Sequence, residues 1–276
     1  MARRKPHPTP TKGSLRIWLT GATSGIGAAL ARHLLAEGHR VALSARREEA
    51  LQAVAGDAGN ALLVPVDVTR RDAMAEAAQR IDTAFDGLDM VILNAGTCEY
   101  LEGGRVDAAL VERVFAANLF GAVNGIEAAL PLLHRAREQG SRPLLAATSS
   151  ASAFFAMPRA EAYGASKAAL SYFMESLRLD LAHQGIDVSV IHPGFVKTPM
   201  TERNDFPMPM AVSAEKAATL IIEGLAARRR DIHFPRRLTW VIKLLGALPL
   251  SARTAIGKRL VRRHDSADRN TPEPRQ

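Results

Sequence analysis

Short apolar runs alternate along the chain with longer stretches of helical spacing. Residues 15–19, 40–44, 61–66, 88–93, 144–148 and 187–191 are five- or six-residue runs rich in Val, Ile and Leu. That length suits buried strands. The first run is followed by Ala28, Leu30, Ala31, Leu34 and Leu35 at helical spacing. Further helices are expected over 72–85, 107–137 (broken by Gly121, Gly125 and Pro131), 161–183 and 214–229, with a last strand at 231–234. Gly38 and Gly87 punctuate the early elements. Strand and helix in strict alternation predict an α/β chain with a doubly wound, Rossmann-type parallel sheet of about seven strands.

In such a sheet ligands lie outside the carboxyl ends of the strands, and the polar motifs of this chain fall there. The first strand runs into Thr20-Gly21-Ala22-Thr23-Ser24-Gly25-Ile26-Gly27, which opens the first helix. Gly21 permits the tight turn, Gly25 lets the backbone approach a pyrophosphate, and Gly27 lets helix and strand pack closely. The helix N-terminus offers free N–H groups and a positive dipole end to phosphates. The second strand ends in Ala45-Arg46-Arg47, with no acid before Glu48. An acid there would bond a ribose 2′-hydroxyl, whereas Arg46 can pair with a 2′-phosphate. NADP(H) is therefore expected ahead of NAD(H), unless Arg46 and Arg47 only begin a solvated helix. Asp67-Val68 follows the third strand, where Asp67 either touches the adenine or caps the next helix. Asn94-Ala95-Gly96 follows the fourth, small and polar where a cofactor would lie across the sheet.

Tyr163 and Lys167 stand four residues apart in a good helix former, hence on one face. An ammonium beside a phenol favours the phenolate and draws a group titrating near ~10 toward working pH. Such a phenol can exchange a proton with a carbonyl or alcohol oxygen. Ser150, just past the fifth strand, precedes Tyr163 by thirteen residues. Asn118 lies among Phe115, Ala116, Leu119 and Phe120 and must find partners if buried. It either packs helices together or holds a water beside the lysine. His192 reads as a strand-end residue, since nothing pairs it with a nucleophile. The rigid loop after it runs Pro193-Gly194-Phe195-Val196-Lys197-Thr198-Pro199.

Charge and composition narrow the function classes. Of the 276 residues 47% are apolar, enough for a large core, and the net charge is +8. Eleven Lys/Arg and one acid, Asp231, lie between Arg228 and Arg263, so the basic character belongs to one segment and a nucleic-acid partner is not expected. The lone cysteine, Cys98, precludes an internal disulfide and reads as a passive thiol, which suits a cytoplasmic setting. No apolar run reaches the roughly 18–20 residues that cross a bilayer. The basic, proline-bearing N-terminus lacks the apolar stretch of a secretory signal. The expected organisation is a disordered lead-in (1–13), a nucleotide-binding catalytic domain (14–235), a C-terminal helical extension (236–265) and a disordered tail (266–276).

Taken together these motifs resemble the short-chain dehydrogenase/reductase family over roughly 15–198. TGxxxGIG stands at Thr20 to Gly27, NAG at Asn94 to Gly96, YxxxK at Tyr163 to Lys167, and PG-x-V-x-T at Pro193 to Thr198. The resemblance implies a tetrad of Asn118, Ser150, Tyr163 and Lys167. Tyr163 would be the general acid or base and Ser150 would polarise the carbonyl. Lys167 would lower the tyrosine pKa and bind the nicotinamide ribose, and Asn118 would position a water in a proton relay. It places the cofactor along Gly21, Thr23, Ser24, Gly25, Ile26 and Gly27, then Arg46, Asp67, Val68, Asn94, Ala95, Gly96, Pro193, Gly194, Val196 and Thr198. Many NADP-using members carry a basic residue where this chain has Ser24, which leaves Arg46 to carry the cofactor preference. The implied reaction is hydride transfer between NADPH and an apolar ketone or aldehyde, or its reverse on a secondary alcohol, in a homodimer or homotetramer. A non-catalytic NADP(H) sensor or a membrane-surface scaffold on the same fold is the alternative.

Two stretches stand outside that pattern. Residues 198–213 are rich in Met and Pro and suit a lid over an apolar substrate, opposed by Phe154, Phe155 and Met157, or an ordinary surface loop. Beyond Pro235, Leu238, Val241, Ile242, Leu244, Leu245 and Leu248 recur at helical spacing up to Pro249. A basic segment follows over 252–263. These helices would lie on an anionic membrane, lean over the pocket, meet a partner subunit, or fold on the domain.

Overall fold

In the structure, a computed structural model, residues 13–102 and 104–261 are described. The expected tails lie outside them, apart from Gly13. The elements in order are β1 (Arg16–Thr20), α1 (Gly25–Ala36), β2 (Arg40–Ser44), α2 (Glu48–Ala55), β3 (Ala61–Leu63), α3 (Arg71–Phe85), β4 (Met90–Leu93) and α4 (Ala108–Phe115). Then come a π turn (Ala116–Phe120), α5 (Gly121–Glu138), β5 (Leu144–Thr148), α6 (Glu161–Ala182), β6 (Asp187–Pro193), β7 (Val196–Lys197), β8 (Val212–Ser213), α7 (Ala214–Ala226), β9 (Asp231–Phe234), α8 (Arg236–Ala247) and α9 (Leu250–Leu260).

Seven parallel strands form one sheet in the order β3-β2-β1-β4-β5-β6-β9. Side chains alternate across it, and both faces are covered. Ile17 and Leu19 of β1 join α1, α2 and α7 in one core cluster. Trp18 between them points the other way, into the core formed with α3, α5 and α6. Burial on both faces is why these strands read as unbroken apolar runs. Trp18 is wholly enclosed, and its indole N–H donates to Ser44 Oγ at 2.9 Å. β1 pairs with β2 on one side and β4 on the other. The chain therefore reverses its winding at β1, and a crevice opens there at the carboxyl ends.

Several boundaries differ from expectation for identifiable reasons. The third strand stops at Leu63 instead of 66, because β3 is the sheet edge; Val64 and Val66 still donate to Leu43 and Ala45 carbonyls of β2. The helix expected over 107–137 is interrupted by a π turn around Asn118. Gly121, Gly125 and Pro131 do not break it, and α5 runs on through all three. A Cβ on either glycine would strike Val68 or Leu93 at 2.7 and 2.6 Å, so the two glycines mark close packing. The helical path from Ala108 to Glu138 is long and apolar enough to span a bilayer, contrary to the expectation from apolar runs. Its buried side, including Ala122, Ile126, Ala129 and Leu133, joins the sheet's core cluster, so it serves here as a core helix. The helix expected to reach 229 ends at Ala226, where Arg228 takes a positive φ of 53°.

Candidate active site

The glycine turn is shaped by contacts that exclude side chains. Gly21 has φ +68°, and a Cβ there would lie 2.7 Å from Ala95 Cα. A Cβ on Gly27 would lie 2.0 Å from the Gly21 carbonyl oxygen. Asn94 ties the turn to the sheet: its backbone N–H binds Thr20 Oγ1 at 3.0 Å, its Nδ2 reaches the Gly21 carbonyl at 3.3 Å, and its Oδ1 accepts from Thr148 Oγ1 at 3.2 Å. Ala95 N–H shares Thr20 Oγ1. At the start of α1, Ser24 is exposed and makes no side-chain cap, and the first turn holds no acid. That end keeps its positive dipole and free donors for an anion. Thr23, Gly25 and Ile26 are partly exposed along the same rim, and the Thr198 methyl stands 2.8 Å from where a Gly25 Cβ would be.

Arg46 is exposed at the end of β2. Burial pushes the nearby Asp67 carboxyl up, but hydrogen bonds from Thr69, and after them the charges of Arg46 and Arg70, hold it below the usual range. Asp67 neither caps α3 nor stands free. It folds back on Thr69, accepting from its N–H at 2.9 Å and its hydroxyl at 2.8 Å. Val68 packs against Gly121, and its carbonyl accepts from Asn124. Pro193 ends β6, Gly194 N–H donates to the Phe234 carbonyl at 2.7 Å, and Val196 is buried. These residues fit a dinucleotide: a turn without side chains, an open helix end, and an arginine at the second strand's tip.

Ser150, Tyr163 and Lys167 converge beside this turn. Ser150 caps the short 3₁₀ turn after β5, and its Oγ accepts from Ser152 N–H at 3.1 Å. Its hydroxyl neighbours the Tyr163 phenol, which is only partly exposed. Lys167 is buried, donates to the Thr148 carbonyl at 2.8 Å, and lies 6.0 Å from the tyrosine ring centre. Gly96 must lack a side chain here, since its Cβ would be 3.3 Å from Lys167 Nζ and 2.7 Å from Asn118 Oδ1.

The protonation states differ from the expectation of a depressed phenol. Burial pushes Tyr163 up to about 12, with Cys98 adding to the rise and Ser150 opposing it. Burial pulls Lys167 down to about 8. Removing either group from water disfavours its charged form, and at this separation the ammonium does not reverse that for the phenol. At neutral pH the phenol is protonated.

Asn118 is fully buried within the π turn. Its Oδ1 accepts from Thr97 N–H at 2.8 Å, and its Nδ2 donates to the Thr97 carbonyl and Ser166 Oγ, both at 2.9 Å. With both amide hydrogens engaged, the side chain fastens the strip after β4 to α6, and its Oδ1 keeps a second lone pair.

Other contacts were not legible from spacing. Tyr100 donates to Asn204 at 3.0 Å and stacks edge-on with Phe206 at 5.8 Å. Arg159 grips Asp205 at 2.8 Å and also pairs with Glu102. The 198–213 loop is thereby tied down beside Cys98, whose thiol burial keeps protonated. Phe154, Phe155 and Met157 pack beneath α8 and α9 with Leu238, Ile242, Leu245 and Ile256. His192, expected to lack a nucleophile partner, contacts Ser171 Oγ at 3.0 Å and Asp231 at 2.9 Å. Both His192 and Ser171 are buried, and Ser171 donates to the Lys167 carbonyl. This chain braces α6 and presents no exposed nucleophile.

The match to known proteins follows the same outline. The family model described as short chain dehydrogenase matches residues 16–207. An uncharacterised oxidoreductase of Myxococcus xanthus is 36% identical over 246 residues, covering 88% of this chain and 96% of its own. A short chain dehydrogenase from Burkholderia cenocepacia J2315, solved with NADP, is 25% identical with TM-score 0.76, covering 90% of this chain and 98% of its own. A Burkholderia phymatum short chain dehydrogenase/reductase, solved with NAD, shares the fold at 23% identity and TM-score 0.75, covering 84% and 92%. With the glycine turn, the tyrosine–lysine helix and the winding of the sheet all in place, this chain belongs to the short-chain dehydrogenase/reductase family of oxidoreductases.

Proposed function

We propose that the protein is an NADPH-dependent reductase of apolar ketones or aldehydes, working in reverse on secondary alcohols, with Tyr163 as the proton donor. The observation that carries this reading is the partly exposed phenol beside Ser150 and Lys167, at the end of β5 next to the glycine turn. A nicotinamide cofactor, when bound, supplies or accepts the hydride. The protein's own residues do the rest. The open end of α1 and the bare Gly21–Gly27 turn would hold the pyrophosphate. Arg46 would meet a 2′-phosphate. Ser150 and Tyr163 donate hydrogen bonds to the oxygen where negative charge develops, and Tyr163 delivers the proton. Lys167, held by the Thr148 carbonyl, keeps positive charge beneath that oxygen and would meet the ribose.

The pH dependence follows from the two shifted groups. Lys167 is charged below about 8 and neutral above it, while the phenol stays protonated until about 12. Carbonyl reduction should therefore hold level from pH 6 to 7 and fall as pH rises through about 8. A kcat/KM profile for reduction that climbed through that region would oppose the assignment. The cofactor preference has its own test. Replacing Arg46 by Asp exchanges a cation for a group that favours a 2′-hydroxyl. R46D should reverse the NADPH-over-NADH ratio of kcat/KM, by roughly 100-fold for a lost charge-assisted contact and an added repulsion. An unchanged ratio would remove Arg46 from the site.

A further inference from the structure

Helix α8 is apolar on two sides, and the fold uses only one. Its inner face packs Leu238, Ile242 and Leu245 on Phe154 and Phe155. The outer face presents Trp240, Val241 and Leu244 at 56%, 55% and 68% exposure, a continuous strip at helical spacing. Leu250, 70% exposed, continues it at the start of α9. The one charged residue of α8 beyond Arg237 is Lys243, and it is turned onto Asp231.

The surroundings of the strip are cationic. Arg236 and Arg237 are exposed at one end of α8, and Lys258 and Arg259 at the end of α9. Asp231 is the sole acid between 228 and 261, and it is engaged by His192 and Lys243. A second copy related by a two-fold axis would lay this cationic rim on itself, since such an interface is self-facing. An anionic bilayer complements both parts. Apolar side chains and an indole settle at the headgroup boundary, and Arg and Lys meet lipid phosphates.

We propose that the outer face of α8, with the basic residues of α9, is a docking surface for anionic lipid membranes. The same helix borders the catalytic loops. A Cβ on Gly246 would lie 2.0 Å from the Phe154 carbonyl, and Leu238 lies 3.1 Å from where a Gly194 Cβ would be. A bilayer on this face therefore adjoins the segments after Ser150 and Pro193. On the reductase reading above, it is also the reservoir from which an apolar carbonyl enters.

Tryptophan emission tests the surface directly. The chain has two tryptophans, and Trp18 is fully buried, so Trp240 reports the lipid contact. The full-length protein is titrated with phosphatidylcholine vesicles containing about one third phosphatidylglycerol, and with pure phosphatidylcholine. Emission should shift to the blue and be quenched by brominated acyl chains with the anionic vesicles only, and high salt should weaken binding. Co-sedimentation of a Val241→Glu/Leu244→Glu variant should fall at least about tenfold, while turnover of a water-soluble carbonyl and the melting temperature stay unchanged. Unchanged Trp240 emission, equal binding to neutral vesicles, or undiminished binding by the variant would overturn the proposal. So would a smaller solution mass for the variant, which would assign the strip to a second copy. Vesicle binding is read without turnover, so its failure leaves the reductase assignment standing, and an inactive protein that still binds vesicles removes only that assignment.

Discussion

Tyr163→Phe should lower kcat for carbonyl reduction by about 1,000-fold, in the middle of the range for a positioned proton donor, while NADPH binding is nearly unchanged. The substitution removes one hydroxyl and keeps the ring that α6 places beside Lys167. The oxygen lost is the one that meets Ser150 and that burial keeps protonated up to about 12. An effect on kcat without one on cofactor affinity is the signature of an interaction made in the transition state only. Steady-state kinetics with a series of apolar ketones, alongside NADPH titration by fluorescence, separates the two quantities. A matching loss of affinity would mean that the hydroxyl holds the cofactor and does not deliver the proton.

The second large effect lies in the glycine turn. Gly27→Ala would place a methyl group 2.0 Å from the Gly21 carbonyl oxygen, and 2.7 Å from Asn94 Nδ2. Neither neighbour is a flexible side-chain tip free to swing aside. The Asn94 side chain is held by the Gly21 carbonyl and by Thr148 of β5 at once. The helix must therefore move off the turn, at a cost of about 1–3 kcal/mol for overpacking. The expected outcome is a melting temperature lower by about 5 °C and NADP(H) binding weakened more than about 100-fold, because the helix end and the turn no longer meet one phosphate group together. Calorimetric titration and thermal melting check both. Gly59→Ala, whose Cβ would enter open space, should change neither.

What could be read from the chain alone follows the range of the interactions involved. The strands were legible because both faces of the sheet are covered, so Ile17, Trp18 and Leu19 all had to be apolar. The tyrosine–lysine pair was legible because helical spacing is local. The direction of its titration was not. It depends on how deeply Tyr163 and Lys167 are enclosed, and that is set by elements far away in sequence. The π turn escaped for a similar reason: Asn118 takes its partners from Thr97 and Ser166, 21 and 48 residues away. His192 read as unpartnered because Ser171 and Asp231 are 21 and 39 residues distant and meet it only when α6, β6 and β9 assemble. Phe154, Phe155 and Met157 stood close to Ser150 in sequence, but their direction is decided by α8 and α9 packing over them.

Hydride transfer to the substrate can be followed with an isotope. Wild-type protein is given NADPH carrying deuterium on the transferable position of the nicotinamide, together with an apolar ketone, and the alcohol is analysed by mass spectrometry. One deuterium on the carbinol carbon is expected from the wild type and almost none from Tyr163→Phe in the same time. Alcohol formed without the label, or formed equally fast by the variant, would contradict the reductase assignment.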